Sequence, residues 1–223
     1  RSLENDPTPT VTAGGVTIGD TITLFADSAC TAPALASEPV PSDSSGSIDL
    51  TSSTLTAGSY TFYAKATDSL GNSSDCSTAS VAYELDLTAP SVTGLSDVTT
   101  PATSASWSWG CSESPCTYAY VIDTSSATDP GDSYASTVMA SQSTGTGTYY
   151  IHVRSKDAAG NLSAVVHVSA VLDNTAPTAP SALALQTPSS SPGNNTTPTI
   201  RVSGVTSGDT VSIYTNNTCS VPS

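Results

Sequence analysis

The sequence predicts an all-β protein built from tandem β-sandwich modules, and three observations carry that prediction. The first is composition. Ser and Thr dominate alongside 15 Gly and 15 Pro, with one Met and two Phe, a supply of turn formers and β-branched residues rather than helix formers. The second is periodicity. No run of ten residues carries a helical apolar stripe, whereas residues 60–67 set Tyr60, Phe62, Ala64 and Ala66 on one face and Thr61, Tyr63, Lys65 and Thr67 on the other, the period of two expected of a half-buried strand. The third is an internal repeat. Residues 5–34 return without a gap as 194–223, 189 positions later, so that Thr8-Pro9-Thr10 falls on Thr197-Pro198-Thr199, Gly19-Asp20-Thr21 on Gly208-Asp209-Thr210, and Cys30 on Cys219. Residues 60–68 with Gly71-Asn72 are echoed by 149–157 with Gly160-Asn161, and each echo leads to Leu-Asp-x-Thr-Ala-Pro, at 85–90 and 172–177. Self-similarity at roughly 90 residues means an array of like modules.

The repeat divides the chain into a first module over 1–86, a second over 87–173, and the first part of a third over 174–223. In the first, residues 9–13 and 20–27 read as strands joined by Gly14-Gly15, 48–51 as a short strand, and 60–67 as a long one introduced by Gly58-Ser59. The turn Asp68-Ser69-Leu70-Gly71-Asn72 then reverses the chain into 80–85. The third module carries an opening strand around 181–186 that the first is expected to lack. In the second, 104–109 alternates Ala105, Trp107 and Trp109 with small polar residues, and 118–122 follows a short Cys111–Cys116 loop. Residues 148–156 and 164–171 form a hairpin about Asp157-Ala158-Ala159-Gly160-Asn161. Pairing positions that sum to 319 sets Ile151 opposite Val168 and Val153 opposite Val166, an apolar register.

The repeat also explains an odd count of five cysteines. Cys30 and Cys76 are the pair within the first module, and Cys111 and Cys116 the pair within the second. Cys219 copies Cys30, so its natural partner would copy Cys76 beyond the end of the chain. Two disulfides and a free Cys219 are therefore expected, and with them an oxidising compartment. A zinc site competes poorly, because Cys-x4-Cys without a nearby His is poor ligand spacing. The longer disulfide loop should remove roughly 4 kcal/mol of unfolded-state entropy and the shorter about 2 kcal/mol.

Nineteen acids against five Lys and Arg give a net charge of −14. Nucleic acid demands a basic face, and anionic lipid repels such a chain. No apolar run reaches the 18 residues of a membrane span, so neither nucleic acid nor direct membrane insertion is expected. The opening Arg1-Ser2-Leu3-Glu4 is neither a signal peptide nor a natural start, and the chain is expected to be part of something longer.

Candidates for catalysis are few. His152 and His167 face each other across the hairpin, on the face opposite Ile151 and Val153. They read as exposed strand residues with no acid beside them and no third metal ligand. Asp129 and Asp132 lie in a Pro-Gly loop that turn formation explains. No Gly-x-Ser-x-Gly elbow, dinucleotide fingerprint or phosphate loop occurs. No enzyme is expected.

Trp107, Tyr118-x-Tyr120 and the run 147–153 closing in Asp-x-x-Gly-Asn make the second module resemble a fibronectin type III or bacterial immunoglobulin-like domain. The Gly-Asp-Thr strand and the Tyr-Thr-Phe-Tyr-Ala-Lys-Ala-Thr-Asp stretch make the first and third resemble the bacterial immunoglobulin-like repeats of large adhesin-type surface proteins. The resemblance implies tandem immunoglobulin-like sandwiches with incomplete end modules. It also implies a structural or adhesive segment of an extracellular bacterial repeat protein, a stalk or fibre. Its partners would be neighbouring modules and a surface protein or glycan. Two alternatives are carbohydrate-binding accessory modules of a secreted enzyme, for which Trp109 is the candidate platform, and a subunit of an extracellular filament that self-associates through its incomplete end modules.

In a sandwich of alternating strands, the turn before the last strand lies at the pole where the chain enters. Asp86 at the exit of the first module should therefore meet Asp157 and Asn161 of the second, with Glu113 at the same pole. Asp173 and Asn174 repeat the exit motif before the third module. Hard oxygen donors from two modules suit Ca²⁺ at the affinity of extracellular modules, roughly 0.1–1 mM. The competing expectation makes Asp157 a turn residue, and Asp86 and Asp173 caps of the linkers.

Overall fold

The computed structural model describes residues 3–219, and among them every regular element is a strand. The chain divides into two compact units, Arg1–Leu172 and Asp173–Ser223. The first unit holds two sandwiches, each with its own core.

In the first sandwich β1 (Leu3–Glu4) precedes β2 (Thr10–Gly14), β3 (Thr21–Phe25), β4 (Ala36–Pro39), β5 (Ser47–Thr51), β6 (Gly58–Thr67) and β7 (Val81–Leu85). One sheet runs β1-β7-β6-β3-β4 and faces the pair β2-β5. Alternation decides what enters the core. Ile22 and Leu24 of β3, Leu50 of β5 and Phe62 of β6 are all buried, and Val40, Leu55 and Leu85 complete the cluster. Tyr60, Ala64 and Ala66 pack against it from the same face of β6 as Phe62. β1 corrects the expectation of a missing opening strand in one respect. Its two residues lie parallel to β7, Leu3 opposite Glu84 and Glu4 opposite Leu85, a pairing too short to leave a periodic signal. β4 also went unread, because ASEP lacks alternation.

The second sandwich comprises β8 (Val92–Thr93), β9 (Val98–Ala102), β10 (Ala105–Ser108), β11 (Gly110–Cys111), β12 (Thr117–Asp123), β13 (Met139–Gln142), β14 (Gly147–Lys156) and β15 (Val166–Leu172). The sheet β12-β14-β15-β9 opposes the pairs β10-β13 and β11-β8. The hairpin β14–β15 has Ile151 opposite Val168, His152 opposite His167 and Val153 opposite Val166. Trp107, Trp109, Tyr118, Ile151, Val153 and Leu172 are the large side chains of this core.

The second unit contributes β16 (Ala182–Thr187) paired antiparallel with β17 (Thr199–Ser203). Residues 211–214 stand at the positions equivalent to Ile22–Phe25 of β3 but form no strand. β3 is held between β4 and β6, and among the described residues no strand flanks the copy.

Cys30 is bonded to Cys76 and Cys111 to Cys116, while Cys219 is free and exposed. Cys30 and Cys219 share a positive φ, 50° and 49°. This left-handed conformation is uncommon for a residue with a side chain, so the local turn forms alike with and without the bond.

Candidate metal centre

The turn after β14 is built by its first residue. The Asp157 carboxylate accepts from the amides of Gly160 (2.7 Å) and Asn161 (2.8 Å) and from the Asn161 side-chain amide (2.9 Å). The Asp157 amide in turn donates to the Asn161 carbonyl at 3.1 Å. Gly160 sits at φ +100°, and a Cβ there would approach the Asn5 side-chain nitrogen to 3.4 Å. The neighbour would accept that contact, at ordinary van der Waals distance, so it is the backbone that favours glycine here.

This turn faces the exit of the first sandwich. The Asp86 amide donates to the Glu4 carbonyl (2.8 Å), and the Asn161 side chain donates to the Asp86 carbonyl (2.9 Å). Tyr83 donates its hydroxyl to the Asp6 carbonyl. Across the linker, Ser112 donates its amide to the Ser91 carbonyl (3.0 Å) and accepts from the Ser91 amide at its hydroxyl (2.9 Å). These bonds hold the six-residue loop carrying Glu113, closed by Cys111–Cys116, against the chain that enters the second sandwich.

Asp86, Glu113 and Asp157 each present a carboxylate oxygen within 4.8 Å of the other two. Asp157 is buried and the other two are half-buried. No Lys or Arg pairs with any of the three among the described residues. Like charges at this spacing repel one another. Three hard oxygen donors with no counter-charge fit a divalent cation.

The structure thus brings together four residues singled out by sequence: Asp86, Glu113, Asp157 and Asn161. Asn161 faces the group through its amide nitrogen, which locks the turn and the linker, so its place is in positioning. Asp86 and Asp173 also cap their linkers, accepting from the amides of Thr88 (2.9 Å) and Thr175 (3.0 Å). Asp173 and Asn174 belong to the other unit and are not in the cluster. The contribution of Glu4, Asn5 and Asp6 was missed, since nothing in the sequence marks three N-terminal residues as neighbours of residue 160.

Three expectations are corrected. Trp109 is 5% exposed, packed against Tyr118 and Tyr120. The chain of β10 continues through it into β11, and the side chain closes the core, so it offers no face to a sugar. His152 is not an exposed strand residue but fully buried, and an acid does lie beside it. Its Nε2 is 3.2 Å from Asp123, and its Nδ1 lies within hydrogen-bonding contact of His167 Nδ1. The two contacts follow from strand register, since Asp123 lies two residues beyond Val121, the partner of His152 on β12, and His167 lies directly opposite on β15. The segment between β12 and β13 supplies the cover: it folds back over the sheet, bonds Ala135 to Tyr118 in both directions and brings the Thr128 amide to His152 Nδ1. The same segment brings Asp129 and Asp132 onto the Arg154 guanidinium, at 3.3 and 3.0 Å. These two acids are thus turn residues and also the anchors of a flap. Asp123 is held below the usual carboxylate range first by the Thr128 hydroxyl, then by the Ser125 amide and His152.

No family model and no curated protein matches the chain. Solved structures that it is similar to include the fibronectin(III)-like modules of Clostridium thermocellum CbhA, at 13% identity over 77% of this chain and 89% of that one, TM-score 0.37. They also include the D00-D0 domain of Intimin, at 12% identity over 78% and 96%, TM-score 0.27. A third is the BSP domain of a biofilm associated protein, at 17% identity over 78% and 29%, TM-score 0.24. The strand pairing of the two sandwiches, rather than these superpositions, defines the fold as immunoglobulin-like.

Proposed function

We propose that the chain is a structural segment of an extracellular bacterial repeat protein, in which immunoglobulin-like modules joined by short linkers project or carry an adhesive function. The observation that carries this reading is the junction within Arg1–Leu172. The aspartate turn of one sandwich is bonded to the exit residue of the previous one, through Asn161 and the Asp86 carbonyl. Such a joint restrains hinge motion, which a spacer needs and a lone binding module does not. The disulfides agree with an oxidising compartment, and buried Trp107 and Trp109 weigh against a carbohydrate platform. Small-angle scattering of the full chain tests it. Replacing Asn161 by Ala should broaden the distribution of maximum dimensions. An unchanged distribution, or saturable binding of soluble polysaccharide by the parent, would overturn it.

A second element of the proposal is that Ca²⁺ clamps the joint through the carboxylates of Asp86, Glu113 and Asp157, favoured by their 4.8 Å grouping without a cation. Binding to the folded state alone should stabilise it by roughly 1–2 kcal/mol at tenfold over the dissociation constant. The test is the melting temperature in millimolar calcium and in chelator. No shift in the parent would reduce the cluster to turn and linker residues.

A further inference from the structure

The face of the β12-β14-β15-β9 sheet turned away from the core carries a cluster that the candidate metal centre does not use. His152 and His167 lie directly opposite each other on β14 and β15, with their Nδ1 atoms in hydrogen-bonding contact. His152 is wholly buried, whereas His167 is exposed. Asp123 lies 3.2 Å from His152 Nε2. Thr128 of the flap touches both members of that pair. Its amide points at His152 Nδ1 (3.5 Å), and its hydroxyl donates to Asp123.

Among the described residues, the other ionisable groups on this face are already engaged. Tyr150 stacks on His152, with ring centroids 6.3 Å apart. Arg154 is held by Asp129 and Asp132, and Lys156 lies over the Tyr134 ring. Asp97, beside β15, accepts from the amide and hydroxyl of Ser169. Of these side-chain types, only imidazole ordinarily changes its charge between about pH 5 and 8.

Hydrogen counting shows what the cluster tolerates. An ionised Asp123 only accepts, so His152 carries a hydrogen on Nε2 and, while neutral, presents a bare lone pair at Nδ1. The Thr128 amide and His167 Nδ1–H both donate towards that lone pair. The first added proton enters at the exposed His167 Nε2, and every contact is kept. A second proton has only His152 Nδ1 left to occupy. There it meets the Thr128 N–H and the His167 Nδ1–H, so three donors converge with no acceptor among them. A buried donor without an acceptor is costly, and the contact has to part.

We infer that the His152–His167 pair is an acid-sensitive latch on the flap between β12 and β13. It takes up one proton in place and releases the chain around Thr128 with the second. The released form binds that second proton more readily than the latched form, so the latch holds at neutral pH and is lost as pH falls. The flap's anchors at Arg154 and Tyr118 involve neither imidazole, which confines the opening to the part over His152. The inference is independent of the calcium reading, since it involves none of Asp86, Glu113 and Asp157.

Nuclear magnetic resonance of the full chain between about pH 8 and 5 tests it. At the upper end, imidazole nitrogen shifts should show His152 as the Nε2–H tautomer. Proton uptake by the pair should come in two steps. Exchange protection of the Thr128 amide, corrected for the intrinsic pH dependence, should fall at least about tenfold across the second step. The amides of Leu24 and Phe62, in the first sandwich, should keep theirs. His167→Gln supplies a carbonyl oxygen that accepts from a protonated His152 Nδ1, so this variant should keep Thr128 protected over the same range. Five results would each overturn the inference: an Nδ1–H tautomer of His152 at the upper end, no second uptake step, unchanged Thr128 protection across it, equal loss in His167→Gln, or simultaneous loss at Phe62.

Discussion

Two turns of this molecule share one design and meet different fates. Asp68-Ser69-Leu70-Gly71-Asn72 and Asp157-Ala158-Ala159-Gly160-Asn161 both fold around an aspartate. Asp68 accepts from the Asn72 amide at 2.8 Å and its side chain at 2.9 Å, as Asp157 does from Asn161 at 2.8 and 2.9 Å. Both place glycine at positive φ, +87° and +100°. Yet Asp68 is only half-buried, with open space around Gly71. Asp157 is 7% exposed, beside two further carboxylates and Asn5. The turn itself is local chemistry. It becomes a candidate site only where the exit of a preceding sandwich closes on it.

The largest expected effect that separates the two turns is loss of the aspartate. Asp157→Ala leaves two amides and a side-chain amide without their acceptor in a buried setting, and should cost about 3 kcal/mol. Asp68→Ala frees the same donors into water and should cost far less. Equal losses of stability in urea titrations would erase the distinction.

Calcium sharpens the comparison next. Glu113→Gln removes one charge from the cluster, so in chelator it should raise stability by about 1 kcal/mol through relieved repulsion. It should also abolish the calcium-induced rise in melting temperature. Asp68→Asn should leave that rise intact. A calcium response that survives Glu113→Gln would place the ion elsewhere.

A smaller effect is expected at the glycines. Ala at either position is strained by its φ, by about 1 kcal/mol. A methyl at Gly160 would meet Asn5 only at ordinary van der Waals distance and one at Gly71 has nothing within 4 Å, so the two variants should lose similar stability. Thermal melts of the two variants decide this.

The smallest effect is acid sensitivity. The Asp68 carboxyl is held below its ordinary value of 3.8, first by the Asn72 side chain and then by the Asn72 amide. Asp27 and Asp97 are lowered too, first by the amides of Ala32 and Ser169 respectively. A lowered folded-state value means that the unfolded chain takes up protons first. The stabilisation is therefore complete above pH about 4 and is lost as pH falls through the folded-state values. Asp68→Asn should flatten this loss slightly, as read from stability against pH between about 5 and 2.

Much of this architecture was legible in the residues. Alternation in 60–67 placed Phe62 in a core, and the apolar pairs of β14 and β15 set a register that also put His152 opposite His167. The pole argument brought Asp86 to Asp157, because strand direction alternates whatever the loops do. What escaped were features with no period: two residues of β1, the short β4, and the flap that buries His152.

The sequence by itself determined the all-β class, the module repeat, the two cysteine pairs and both aspartate turns. Each rests on local backbone preference or on a pattern of period two, interactions between residues whose spacing is written in the chain. Only the tertiary structure decided that Trp109 is core, that His152 is sealed beneath a loop, and that three carboxylates converge within 4.8 Å. Those outcomes depend on how loops of unlike length cover a sheet and how one sandwich meets the next. Burial and charge proximity are properties of packed surfaces, and residues 86, 113 and 157 carry no mark of their meeting until those surfaces exist.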